Sequence, residues 1–262
     1  MTLDVVIGTY KPAGIERLSQ IQLPVVEDVK YIISWQAHED YPVPEKLIRP
    51  DIRIFRLDGV GLSRNRNNAI SHSDAEIIYI ADDDIEILPG ALDQIKRRFE
   101  EYPDTDMATF KMKEGRNRYP KDITDLGFYL PKNYNVASCQ IAFRRKIFET
   151  IRFNERFGIN SGVFEVGEDE LFHLQARKKG FICRFFPDII ASHPHESTGS
   201  KKISDPRAVE GFGFLITKSY PRSFLLRLPL KAYRMKAQGQ YGFFKGWYHL
   251  IMGSLKSFRE KI

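Results

Sequence analysis

Short apolar runs alternate with mixed apolar and polar stretches along the first two thirds of the chain. Leu3-Asp4-Val5-Val6-Ile7-Gly8-Thr9-Tyr10, Val29 to Trp35, Ile52 to Leu57 and Ile77-Ile78-Tyr79-Ile80-Ala81 are brief and mostly rich in β-branched residues. Such runs predict buried strands, too short to span a membrane. Ala13 to Gln20 and the stretch after Gly61 predict helices. Gly167 to Arg177 predicts another, with Leu171, Phe172 and Leu174 as its apolar set. Strands alternating with helices predict an α/β fold with a mainly parallel sheet.

The fourth of these strands runs straight into Asp82-Asp83-Asp84. Three carboxylates at the end of a buried strand repel one another unless a positive partner sits among them. Mg2+ and Mn2+ are the natural candidates, since hard cations take oxygen ligands and are often shared with substrate phosphates. The plainer alternative is an acidic turn that starts the next helix.

Composition narrows the picture. The chain has 262 residues, 42% hydrophobic and 28% charged, which suits a soluble α/β domain with a sizeable core. Cys139 and Cys183 lie far apart and outside any CxxC spacing, so buried thiols in a reducing compartment are expected. The start of the chain lacks the basic region of a signal peptide, and no run of about 18 apolar residues occurs. A cytoplasmic location is expected, with a peripheral place at the inner face of the plasma membrane as its refinement.

The net charge of +6 is unevenly placed. From Lys218 onward ten cations face one acid, Glu260, a net of +9, which leaves −3 for residues 1–217. Cations there alternate with Phe224, Leu225, Leu226, Leu228, Phe243, Phe244, Trp247, Tyr248, Leu250 and Ile251, and Pro229 and glycines divide the stretch into two or more helices. Basic amphipathic helices with aromatic borders fit the interface of an anionic membrane; the alternative is packing on the domain with the cations exposed. No nucleic-acid-binding motif is present. The expected division is a catalytic domain, 1–215, and a basic helical extension, 216–262.

Other residue types add candidate chemistry. In Gly61-Leu62-Ser63-Arg64-Asn65-Arg66, Ser63 or a neighbour is expected to cap a helix that carries Arg64 on its first turn, a placement suited to phosphate. Glu168 and Asp169 open the later helix; acids there can simply favour the dipole. Ser192-His193-Pro194-His195 follows the strand Ile189 to Ala191, with both histidines on one side if extended. Zinc is disfavoured, because no further Cys or His ligands are near. The loop from Lys113 to Tyr134 is expected to cover an acceptor side, with Tyr119, Phe128, Tyr129 and Tyr134 free either to stack on sugars or to pack the loop.

Taken in order, these segments resemble the family 2 glycosyltransferases of the GT-A fold. The resemblance rests on the strand ending in Thr9-Tyr10, the Ser63-Arg64-Asn65 helix, and the strand into Asp82-Asp83-Asp84. Ala142 to Glu149, Phe153 to Phe157, Gly167-Glu168-Asp169-Glu170-Leu171 and Lys179-Gly180-Phe181 continue it. It covers residues 3 to 200 and implies a Rossmann-like mixed, mainly parallel sheet flanked by helices. It further implies an inverting, metal-dependent transfer of sugar from a nucleotide-sugar donor, UDP-linked by preference, to a glycan or glycolipid acceptor. Cell-surface polysaccharide synthesis is the expected setting. By resemblance Asp84 contacts the Mn2+ or Mg2+, and Asp82 faces the ribose or sugar, with a share in the metal. Asp83 lies on the donor side, and His193 reaches the metal or diphosphate. Thr9, Tyr10 and Arg64 hold the nucleotide, while Asp169, with Glu168 beside it, acts as general base. Lys11 departs from the family's pattern, and Gln36 stands near the position of its usual carboxylate. Two rivals are a nucleotidyltransferase, for which Gly8 to Lys11 is a poor phosphate loop, and a non-catalytic nucleotide-sugar-binding module.

Overall fold

The computed structural model describes residues 1–113, 119–131, 134–193 and 205–260. In chain order its elements are β1 (Leu3–Tyr10), α1 (Lys11–Gln20), β2 (Val29–Gln36), β3 (Ile52–Leu57), α2 (Leu62–Ser71), β4 (Ile77–Asp82) and β5 (Glu86–Ile87). There follow α3 (Ala91–Glu101), β6 (Met107–Met112), β7 (Thr124–Asp125), β8 (Ile141–Arg144), α4 (Lys146–Thr150), α5 (Glu168–Lys178) and β9 (Cys183–Ser192). Three helices end the chain: α6 (Pro206–Ser219), α7 (Phe224–Ala237) and α8 (Phe243–Phe258). The predicted strands and helices all form. Helix α1 begins two residues earlier than expected, because Pro12 fits the first turn, where its missing N–H costs nothing.

The sheet runs β3-β2-β1-β4-β8-β6-β9-β5, with β7 paired to β9. Strands β3, β2, β1 and β4 are mutually parallel. Strand β8 then enters antiparallel between β4 and β6, and β6 is parallel to β9. Period-two alternation splits the core. Val5 and Ile7 face α1 and α3 through Ile15, Leu18, Ile95 and Phe99. Val6, Ile78 and Ile80 face α2 and α5 through Ala69, Ile70, Phe172 and Ala176. A sheet covered on both faces leaves its strand ends as the place for polar chemistry. Two register facts bring the candidates together there. Gly8 of β1 lies beside Asp82 of β4, and Glu86 of β5 lies beside Ser192 of β9.

Helices α6 and α8 cross at Gly213 and Gly253. A Cβ at Gly253 would overlap the Glu210 carbonyl, and one at Gly213 the Leu250 carbonyl. Only glycine permits that approach. Helix α7 packs on the pair through Leu228, Ala232 and Met235. Helix α6 runs unbroken through position 215/216, so α6, α7 and α8 form one bundle. Cys139 and Cys183 are buried free thiols.

Candidate active site

The site grows around a residue that no motif singles out. Arg66 lies on α2 between Ser63 and Ala69–Ile70, all on the helix's buried side, and is itself 3% exposed. Its Nη2 donates to Asp82 Oδ1 at 2.9 Å and to Ser138 Oγ at 2.7 Å. Its Nη1 donates to Asp169 Oδ1 at 2.7 Å and to Glu168 Oε1 at 3.3 Å. One guanidinium thus joins the strand-end aspartate to both acids of the α5 first turn, a use suited to its planar fork. The Ser138 backbone N–H donates to Asp169 Oδ2 at 2.8 Å, so both oxygens of that carboxylate are fixed.

Electrostatics follow from burial. Desolvation alone would favour a neutral Arg66, and Asp169, Asp82 and Glu168 more than reverse that, so it stays charged. Burial pushes the Glu168 carboxyl up, with Asp169 adding to the shift and Arg66 opposing it. Burial likewise raises Asp169, against the pull of Arg66. One cation against three carboxylates leaves the cluster negative, a state that favours an additional positive partner.

The other two triplet members turn away from Arg66. Asp83 accepts from Thr9 Oγ1 at 2.6 Å and from Arg17 Nη2 at 2.5 Å. Its carboxyl is raised by burial, which those two hydrogen bonds oppose. Gly14 makes room for this bridge, since a Cβ there would overlap Thr9 Oγ1. Asp84 Oδ1 stands 3.4 Å from His193 Nε2. The β5–β9 pairing explains that meeting, because it carries the end of β9 to the turn that follows Asp82.

Whether these groups suit a divalent cation is answered by the donor set. An aspartate oxygen and an imidazole nitrogen side by side match Mn2+ chemistry, and the carboxylate alone matches Mg2+. Among the described residues no three His, Cys, Asp or Glu side chains gather into a cage. Two protein ligands with phosphate oxygens and water completing the shell is the usual form of a cation shared with a nucleotide. The residues fit.

At the carboxyl end of β1 Tyr10 is 38% exposed, and Gln36 is buried at the end of β2 with its Nε2 unpartnered among the described residues. Arg64 is exposed and lies over Gly59, apart from the carboxylates. Ser63 does not cap α2. The cap is Gly61, and the Ser63 hydroxyl donates instead to the Phe157 carbonyl at 2.6 Å. The serine is buried against the 153–165 segment, which takes its hydroxyl first. Tyr119 and Tyr134 are not available to sugars. Tyr134 is buried with its hydroxyl on Thr109, and the Tyr119 ring stacks on Phe185. Phe128 and Tyr129 are exposed, Tyr129 stacking on Tyr220. His195 lies outside the described residues.

A glycosyltransferase of the GT-A fold is the class that this sheet and acid arrangement match. Residues 33–163 match the model of glycosyl transferase family 2, half of the chain, and the chain belongs to that family. Among solved structures it resembles TarS 1-349 of S. aureus at 15% identity and a TM-score of 0.61, covering 99% of this chain and 91% of that one. TarS 1-349 in complex with UDP-GlcNAc matches at 14% identity and a TM-score of 0.57, over 99% and 92%. The mannosyltransferase PcManGT from Pyrobaculum calidifontis, in complex with GDP-Man and Mn2+, matches at 14% identity and 0.57, over 99% and 88%. Comparison with curated proteins finds no match.

Proposed function

We propose that this glycosyltransferase is an inverting, divalent-metal-dependent enzyme that moves a sugar from a nucleotide-sugar donor to a glycan or lipid-linked glycan. The region before α6 carries the catalysis, α6 to α8 form a basic helical extension that begins ahead of the expected division at 215/216, and cell-surface polysaccharide synthesis is the setting. The observation that carries the reading is the shared arginine. Arg66 holds Asp82, on the donor side, and Asp169, on the acceptor side, at 2.9 and 2.7 Å. A donor sugar presented at Asp82 therefore meets an acceptor hydroxyl presented at Asp169.

Thr9, Tyr10 and Arg64 bind the nucleotide. UDP is the preferred nucleotide. Asp84 and His193 hold Mn2+ or Mg2+, with Asp82 beside them. When bound, the cation neutralises charge on the departing diphosphate. Asp169 takes the proton of the acceptor hydroxyl as that oxygen attacks the anomeric carbon from the face opposite the diphosphate. Its carboxylate has lone pairs left beyond the bonds from Arg66 and Ser138. Glu168 sets the local charge, and Asp83, fixed by Thr9 and Arg17, keeps the triplet's turn in place.

The test is calorimetric titration of a nucleoside-diphosphate panel with and without Mn2+, on the natural chain and on Asp84→Ala. Metal-dependent binding of one diphosphate, lost in the variant, supports the reading and names the base. Tight metal-independent binding, unchanged in the variant, removes the cation role from the Asp triplet.

A further inference from the structure

Helices α7 and α8 each carry two apolar stripes on opposite sides. The inner stripes, Leu228, Ala232 and Met235 on α7 and Leu250 and Gly253 on α8, pack within the bundle. The outer stripes face solvent. Leu226, Leu230 and Tyr233 recur at i, i+4, i+7 on α7 and are 78%, 48% and 62% exposed. Phe244, Tyr248, Leu255 and Phe258 continue that spacing on α8 and are 79%, 58%, 54% and 66% exposed. A helix apolar on both sides is stable only if something covers the second side.

The charge beside these stripes says what covers them. Arg222, Arg227, Arg234, Lys236, Lys245 and Arg259 are exposed around them, and Glu260 is the only acid from Lys218 onward. A second copy would bring two cationic faces together, whereas an anionic surface complements one. A cavity of about 220 Å³ opens beside Phe258, lined by Lys178, Lys218, Phe224 and Ser257. Both lysines are lowered by burial, and the repulsion of Lys218 adds to the shift of Lys178. Lys178 and Lys218 line this cavity beside Phe224 and Phe258, and Lys218 Nζ also donates to the Glu260 carbonyl at 2.6 Å; two cations at an aromatic-walled cavity suit one phosphate.

We infer that the outer face of α7 and α8 is a docking surface for an anionic phospholipid bilayer, its outer stripes entering the interface and the Lys178–Lys218 cavity taking one headgroup phosphate. Among the described residues no helix is long and apolar enough to cross a membrane, so the mode is insertion of side chains into the interface. Helix α5 joins this surface to the reaction. It starts at Glu168 and Asp169 and reaches Lys178 about 14 Å further on, at 1.5 Å per residue. On the transferase reading above, the acceptor site then stands within a glycan's length of the bilayer.

The full chain is mixed with phosphatidylcholine vesicles with and without phosphatidylglycerol, and bound protein is separated by flotation at two salt concentrations. Binding that requires phosphatidylglycerol and weakens with salt is expected. Leu226→Ser with Phe244→Ser, both at exposed positions, should weaken it by at least about tenfold. Lys178→Gln with Lys218→Gln should weaken binding to phosphatidylglycerol vesicles and leave the chain folded by circular dichroism. Equal binding to both vesicle types, or binding untouched by the serine pair, overturns the inference. So does a stable dimer in sedimentation that the serine pair dissociates, since that assigns the face to a second copy. Flotation needs neither donor nor acceptor, so its failure leaves metal-dependent diphosphate binding to be judged separately.

Discussion

Arg66→Met tests whether the site is held by one charge. The side chain is 3% exposed and donates to Asp82, Asp169, Glu168 and Ser138. Methionine is of similar length, so the variant leaves the volume nearly filled and removes the cation. Removing one partner of a buried ion pair costs about 3–5 kcal/mol, most of it from the charge left behind. Here three carboxylates are left, and protonation is their only relief. Burial already places Glu168 and Asp169 above the ordinary carboxylate range, and loss of Arg66 moves them higher. A carboxyl raised in the folded state is stabilising below its unfolded value, and that stability is lost as pH rises through the folded value. The deficit of the variant should therefore be small near pH 5 and grow to about 3–5 kcal/mol by pH 8. Urea unfolding followed by the fluorescence of Trp35, which is fully buried, reads it directly. A deficit under about 1 kcal/mol at pH 8, or one equal at both pH values, would refute the argument.

Four more expectations rest on single contacts. Asp169→Asn keeps an oxygen for Ser138, so the fold and donor binding should survive while transfer falls by about 10²–10⁴, measured as steady-state rate against donor affinity. Because burial raises the Asp169 carboxyl, transfer by the natural chain should fall as pH drops from a midpoint above the usual carboxylate range; a pH–rate profile flat from 8 down to about 4.5 contradicts this. His193→Ala should weaken Mn2+-dependent diphosphate binding by about tenfold and leave metal-free binding alone, a comparison made by calorimetry. Gly253→Ala forces a methyl onto the Glu210 carbonyl at the α6–α8 crossing, and thermal unfolding should show a loss of at least about 1–3 kcal/mol.

What sequence conveyed, and what it did not, follows from the range of the forces involved. The parallel strands were legible because strands buried on both faces must be apolar along their whole length, as in Val5-Val6-Ile7 and Ile77 to Ala81. The carboxylates were legible because acids at a strand end and in a helix first turn are costly enough to need a reason. The role of Arg66 was not. Arg64 and Arg66 are two residues apart on one helix and look alike in sequence. Only the helical stripe separates them: position 66 falls between Ser63 and Ala69–Ile70 on the buried side, and position 64 falls in solvent. That stripe was readable, but an arginine on a buried side needs anions waiting there, and those come 16 and 103 residues away in Asp82 and Asp169.

Sequence separation hid the roles of the loop residues as well. Tyr119 and Tyr134 were equally good as sugar platforms or as packing, because local sequence does not say whether Phe185 and Thr109 stand beneath them. Ser138 carries no signal at all, since its backbone N–H does the work and any residue but proline has one. Its hydroxyl adds a second function that the backbone alone lacks. By accepting from Arg66 and donating toward Asp82 at 3.2 Å, it ties the donor carboxylate to the loop that fixes Asp169. The consequence is mechanical: Asp82 and Asp169 share both Arg66 and Ser138, so a displacement of either acid moves the partners of the other. On the proposed reaction, donor seating at Asp82 and proton removal at Asp169 are then set by one hydrogen-bonded unit, and a substitution at either shared partner, Arg66 or Ser138, should alter both.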